Sequence, residues 1–298
     1  MKKIQNLKYI IRNSRGQIVL ILVLVTIVGL TVGLSLISRT VTDVRISSQI
    51  EQSGRAFSAA EAGIETALRG SYTGAPSSAN FTVSNATVSY TTEILGLSSG
   101  VLMLPLTEVG NTQTVWLVNH NTDGSLNETV SYSADDSFDI CFGKDNITKP
   151  AIIVSLIYKE GAVYKVAKGA YDADSTGTRG NNFYTVPDVD IDLSGPYCNG
   201  KFPYKVTLIP TLDPPHGSGP PNGFGITGTL LALRIQPRYI NTPIGVKPYN
   251  TGFFPDQGKT ITSIGKTETG IVRKIKVVQG FTAMPTLLDF GLFVETND

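Results

Sequence analysis

The sequence predicts an α+β protein in which one long N-terminal helix packs on an antiparallel, β-rich head. Three observations predict it. The stretch between Arg15 and Arg39 holds fifteen Leu, Ile or Val and no ionisable group. Helical periodicity then continues without a proline as far as Gly70. From Ser71 onward, short runs dense in Thr, Val, Ser and Tyr alternate with Gly, Pro, Asn and Asp. The expected organisation is a basic cytoplasmic leader at 1–16, a hydrophobic then amphipathic helix at 17–70, and an extracytoplasmic head at 71–298.

The helix begins with the uncharged run. Its uncharged part is ~34 Å long, enough to cross a hydrocarbon core of ~30 Å. It is too long for a signal-peptide core, and no A-x-A-like cleavage site follows it. Lys2, Lys3, Lys8, Arg12 and Arg15 precede it with no acid among them. That excess of positive charge places the leader in the cytoplasm and the rest outside. Gly29 and Gly33 form a GxxxG step, a spacing that lets two helices approach closely in lipid. Above the span, Ile50, Phe57, Ala60, Ile64 and Leu68 fall within about 40° of one line at 100° per residue. Glu51–Arg55 and Glu65–Arg69 are i,i+4 pairs of favourable polarity on the other side. The expectation is one apolar stripe offered to a partner, with Phe57, Ala60 and Ile64 as packing residues.

The junction Ser14-Arg15-Gly16-Gln17, a basic leader ending in Gly before an apolar helix, resembles the start of type IV prepilins. The segment Arg55-Ala56-Phe57-Ser58-Ala59-Ala60-Glu61-Ala62-Gly63 resembles the signature that closes the N-terminal helix of PilX-type minor pilins. The resemblance covers residues 12–69 and is looser beyond. It implies cleavage by prepilin peptidase between Gly16 and Gln17, with methylation of the new terminus. It further implies storage in the inner membrane and assembly with other pilin subunits into an extracellular filament, without enzymatic activity. Two residues depart from the major-pilin pattern. Gln17 stands where an aromatic or Met is usual, and Ile21 where the fifth mature residue is Glu. Without that carboxylate the subunit offers no partner to a neighbouring amine inside an apolar bundle. This implies a minor subunit, displayed for assembly priming, adhesion or surface contact. The alternative is a surface binding protein or enzyme held permanently by an uncleaved anchor.

The head is about 228 residues, enough for one large domain or two small ones. Removing the leader leaves 20 bases against 24 acids, a net −4, so no general attraction to nucleic acid follows. The clearest strands are 81–90, 112–118, 151–158, 163–170, 204–209, 230–235, 260–264 and 271–278, with a tight turn at Lys159-Glu160-Gly161. Leu212–Gly223 carries four prolines and reads as an exposed loop. The only cysteines, Cys141 and Cys198, lie outside the membrane, where oxidation is permitted. A disulfide between them would close a long loop worth roughly 4 kcal/mol. Two buried thiols are the other reading.

Three patterns carry candidate chemistry. Asp172, Asp174, Thr176 and Gly177 match the opening of a D-x-D-x-x-G calcium loop, but its twelfth position is Phe183, not Glu. A looser calcium site would recruit Asp188, Asp190 or Asp192. The alternative is an ordinary Asp-turn beside a solvated acidic strand. Gly96-Leu97-Ser98-Ser99-Gly100 matches a nucleophile elbow, yet Val101–Pro105 has no helical period to follow it, and His120 and His216 are the only histidines. It reads as a turn. From Phe224 to Thr282 there are eight bases and two acids. Alternation sets Lys274 and Lys276 on one strand face and Arg273 on the other. Lysines on an edge strand more often block aggregation than bind DNA.

Overall fold

A computed structural model describes residues 15–70, 74–96, 100–186, 198, 202–213, 222–249 and 253–286. Among the described residues, a 55-residue helix, α1 (Arg15–Arg69), is followed by fifteen strands. They are β1 (Ser77–Val83), β2 (Ala86–Leu95), β3 (Leu102–Met103), β4 (Gln113–Trp116), β5 (Val118–His120), β6 (Leu126–Ser131), β7 (Phe138–Phe142) and β8 (Ala151–Glu160). The remainder are β9 (Val163–Asp172), β10 (Tyr184–Thr185), β11 (Tyr204–Leu208), β12 (Thr229–Arg238), β13 (Ile244–Pro248), β14 (Gly258–Thr267) and β15 (Val272–Gly280). The α+β expectation holds. The chain divides into two compact units.

The first unit comprises residues up to Gly63, with Asn80–Ser89 and Ile264–Ile275. At 1.5 Å per residue, α1 is ~82 Å long in all. Every Leu, Ile and Val of its apolar run is exposed, and the helix is long and apolar enough to cross a membrane. Within that run Thr26 donates its hydroxyl to the carbonyls of Leu22 and Val23, at 2.9 and 2.8 Å. Thr31 does the same to Val28, and further along Thr40 and Thr42 bond to Leu36 and Ser38.

Farther up the helix the exposed surface gives way to a face of small residues. Ala56, Ala59 and Ala60 are buried, and Ala59 packs with Phe81, Val83, Ala86 and Val88 of the β1–β2 hairpin. On β14, Gly265 lies directly against the helix. A Cβ there would stand 2.0 Å from the Ala56 carbonyl oxygen and 2.8 Å from the Ala60 nitrogen. Side chains seal the flank of this seam. Arg273 donates from Nε and Nη2 to Ser53 Oγ at 2.9 and 2.6 Å, and Thr269 donates to Gln52 Oε1. The expected 81–90 strand is two strands, because Ser84 and Asn85 both have positive φ (48° and 62°). That is the twist a two-residue hairpin turn requires.

The second unit holds Ile64–Ala79, Tyr90–Ser263 and the chain from Lys276. Its centre is a sandwich. One sheet has the order β10-β9-β8-β12-β4 and the other β11-β7-β13-β3, with β5-β6 as a separate ribbon. The pairings are antiparallel except for the short parallel β9–β10 contact. Between the sheets, Ile152, Val154, Leu156, Leu233 and Ile235 meet Phe138, Ile140, Phe142, Tyr204, Val206, Ile244 and Val246. The β8–β9 hairpin turns at Gly161, where φ is +60°. Cys141 and Cys198 form a disulfide, buried with Phe202 beside Val101. The two-thiol alternative is thereby excluded. The remaining four-stranded sheet, order β1-β2-β14-β15, carries β15 at its edge.

Candidate functional site

The feature with the strongest physical consequence is the helix surface left exposed among the described residues. Gly16 lies in the first turn of α1 and Gln17 is exposed. Gly29 and Gly33 have no neighbouring atom within 4 Å of where a Cβ would be, so the GxxxG step faces open space in the single chain. The sequence placed Phe57, Ala60 and Ile64 on one packing stripe, and the structure separates them. Ala60 and Ile64 are buried, but Phe57 is 47% exposed and Ile50 67%. The face turned to the sheet is Ala56, Ala59 and Ala60. Small residues win there because the strand backbone at Gly265 comes close enough to exclude anything larger. Ile46, Ile50 and Phe57 are left as a second stripe, solvent-exposed and continuous with the apolar run below it.

The end of the same helix is closed by a side chain from β14. Lys259 Nζ donates to the carbonyl of Ala67 at 2.8 Å and reaches that of Gly70 at 3.5 Å. The last carbonyls of a helix lack intrahelical partners and carry partial negative charge, so an ammonium there satisfies both needs. Burial lowers the Lys259 pKa. Lys259 and Gly70 line a cavity of about 270 Å³ with Leu68, Asp123 and Phe281.

The candidate calcium loop has a different occupant. Asp172 is buried and accepts from Arg179 Nη1 at 2.7 Å and from Asn181 Nδ2 at 2.6 Å. Arg179 also donates Nη2 to the Lys149 carbonyl at 2.6 Å and sets Nε 3.7 Å from Asp174. Its guanidinium lies 4.3 Å from the centre of the Tyr239 ring. Asp174 accepts from the hydroxyl and amide of Thr176, which hold its carboxyl below the usual range. A guanidinium thus sits between the two carboxylates whose spacing suggested a cation. Among the described residues no group of three or more His, Cys, Asp or Glu is set to hold a metal. Asp188, Asp190 and Asp192 lie outside the described residues, as do Ser98, His216 and residues 1–14 of the leader.

Of the basic C-terminal strand, Lys274 and Lys276 are exposed on one face of β15, while Arg273 turns the other way to Ser53. The alternation expected from the sequence holds there. Three residues escaped the sequence reading: Gly265, Lys259 and Arg179. A glycine inside a strand marks a close backbone approach, so Gly265 carried a signal. Lys259 and Arg179 carried none, because their partners are set by the tertiary fold.

No family model matches this chain, and neither a curated protein nor a solved structure is similar to it.

Proposed function

We propose that the chain is a minor structural subunit of a type IV pilus or a related filament. In this reading the helix is stored in the cytoplasmic membrane with its N-terminus inside. Prepilin peptidase cuts between Gly16 and Gln17, and the helix is then drawn into a bundle of like helices. The head acts outside without catalysis, in assembly priming, adhesion or surface contact. One observation supports this above the others. A single unbroken helix carries a bare apolar run and, directly above it, the alanine seam that holds its own sheet. A permanent anchor needs only the first. The second stripe, Ile46, Ile50 and Phe57, lies beyond the uncharged run and is apolar and exposed. Neighbouring subunits in a filament would cover it.

One residue favours a second reading, a surface protein held by an uncleaved anchor. Ile21 supplies no carboxylate to offset a buried amine, which is costly in an apolar bundle. Mass spectrometry of the chain extracted from membranes, and from filaments sheared off cells, separates the two. The pilin reading expects a form beginning at N-methylated Gln17 in the sheared fraction. An intact Met1 form confined to membranes would overturn it.

A further inference from the structure

The chain beyond β15 does not leave the second unit at once. Residues 281–286 run over the β4 side of the five-stranded sheet, held by contacts that include a backbone bond from the Phe281 amide to the Gln257 carbonyl at 3.4 Å. The Phe281 ring stacks on His120, with centroids 3.7 Å apart and planes 9° apart. Arg234 of β12, itself buried, donates Nη1 to the Met284 carbonyl at 2.8 Å. The amide of Thr112, just before β4, donates to Thr286 Oγ1 at 3.2 Å. Three of these contacts are hydrogen bonds. The fourth is an aromatic stack on a titratable ring.

Burial disfavours the charged form of His120 in this position. The Trp116 ring stands perpendicular to that of His120, 4.7 Å between centroids at 86°. The His120 Nδ1 is buried with no hydrogen-bond partner. An imidazolium donates from both nitrogens, so protonation would bury a charged donor with nothing to receive it. The charged group that opposes this is Asp256, from the segment before β14. It favours the protonated ring, but less than burial disfavours it, and the His120 pKa is lowered. The other charges on neighbouring elements are engaged elsewhere. Asp123 in the β5–β6 turn accepts from Ser125, Glu128 of β6 holds Lys159 at 2.5 Å, and Lys259 of β14 caps the helix.

We propose that His120 is an acid-sensitive latch, holding residues 281–286 against the sheet while its ring is neutral and releasing them when it is protonated. The sign follows from linkage. A histidine whose folded pKa is depressed imposes no penalty above its ordinary value of 6.5. Below that value the released state takes up the proton first, and the attachment weakens until the folded pKa is reached.

The molecule carries its own reporter, because Trp116 is the only tryptophan in the chain and a protonated imidazole quenches a neighbouring indole. The test uses the full chain in detergent micelles from pH 7.5 to 5. Trp116 emission should fall with a one-proton titration whose midpoint lies below 6.5. Over the same range, amide protection at 281–286, corrected for intrinsic exchange, should drop by up to about tenfold per pH unit. His120→Phe keeps a ring for Phe281 and removes the proton, so both signals should stay flat at their neutral values. His216 is retained in that variant and serves as its control. Flat signals in the unaltered chain would overturn the latch, and so would an undiminished fall in His120→Phe. Should that variant fail to fold, the NMR titration of the His120 ring decides. Agreement of its midpoint with the loss of protection supports the latch, and disagreement overturns it.

Discussion

The two halves of α1 have the same backbone and opposite surroundings. From Ile18 to Leu36 the helix is clothed in large aliphatic side chains, all exposed. From Ala56 to Ala60 it is nearly stripped of side chain on one face, and that face is buried. Apolar bulk is therefore not what attaches the helix to its own sheet. Bulk faces outward, toward whatever medium or neighbour lies there, and the attachment uses the smallest residues. Close backbone contact needs removal of volume on both sides, which Gly265 and the alanines supply together.

The attached half of the helix is most vulnerable at Gly265. Gly265→Val puts a side chain 2.0 Å from a main-chain oxygen, and no rotamer change relieves a backbone clash. The expected cost is about 3 kcal/mol or more, read as a lower melting temperature of the head, with recovery in the membrane fraction unchanged. Leu24→Arg tests the other half. It should cost about 3 kcal/mol of bilayer insertion and leave that melting temperature where it was, and a shift would show that the two halves are not independent. Lys259→Met removes the donor that serves the last helix carbonyls. A loss of about 1 kcal/mol is expected, seen as faster amide exchange confined to the last turn of α1. The smallest effect belongs to Glu51→Gln, which breaks a surface pair with Arg55 at 2.5 Å. About 0.3 kcal/mol is expected, because the pair supports the helix and touches nothing of the seam.

Much of the fold was legible because it rests on local periodicity. The helix reaches Arg69 as the uninterrupted pattern required, and the β8–β9 hairpin turns at the expected glycine. Other features depended on partners remote in sequence. Phe57 outranks Ala56 and Ala59 on any hydrophobic scale, so the expected stripe held Ala60 and Ile64 correctly but took in Phe57 and missed Ala56 and Ala59; Gly265 explains the choice. β7 and β13 went unseen as strands because Phe138–Phe142 and Ile244–Pro248 are short and buried along nearly their whole length, which erases alternation. The β1–β2 turn was hidden because Ser84 and Asn85 interrupt the pattern without a glycine or proline. In the candidate site, the carboxylates of Asp172 and Asp174 were correctly paired in space, but the cation between them is Arg179. Which positive charge fills a carboxylate pair is decided by the loop's path, and no spacing rule reports that.

The threonines of the apolar run carry one more consequence. Thr26 and Thr31 return their hydroxyls to carbonyls one turn back, so these side chains extend no donor sideways. Any rod lying alongside meets contours and small notches at Gly29 and Gly33, with no directional bond from either threonine to pin its height. Such a surface favours lateral company in general while setting registration weakly, and the choice of position falls to the parts of the molecule that carry polar detail.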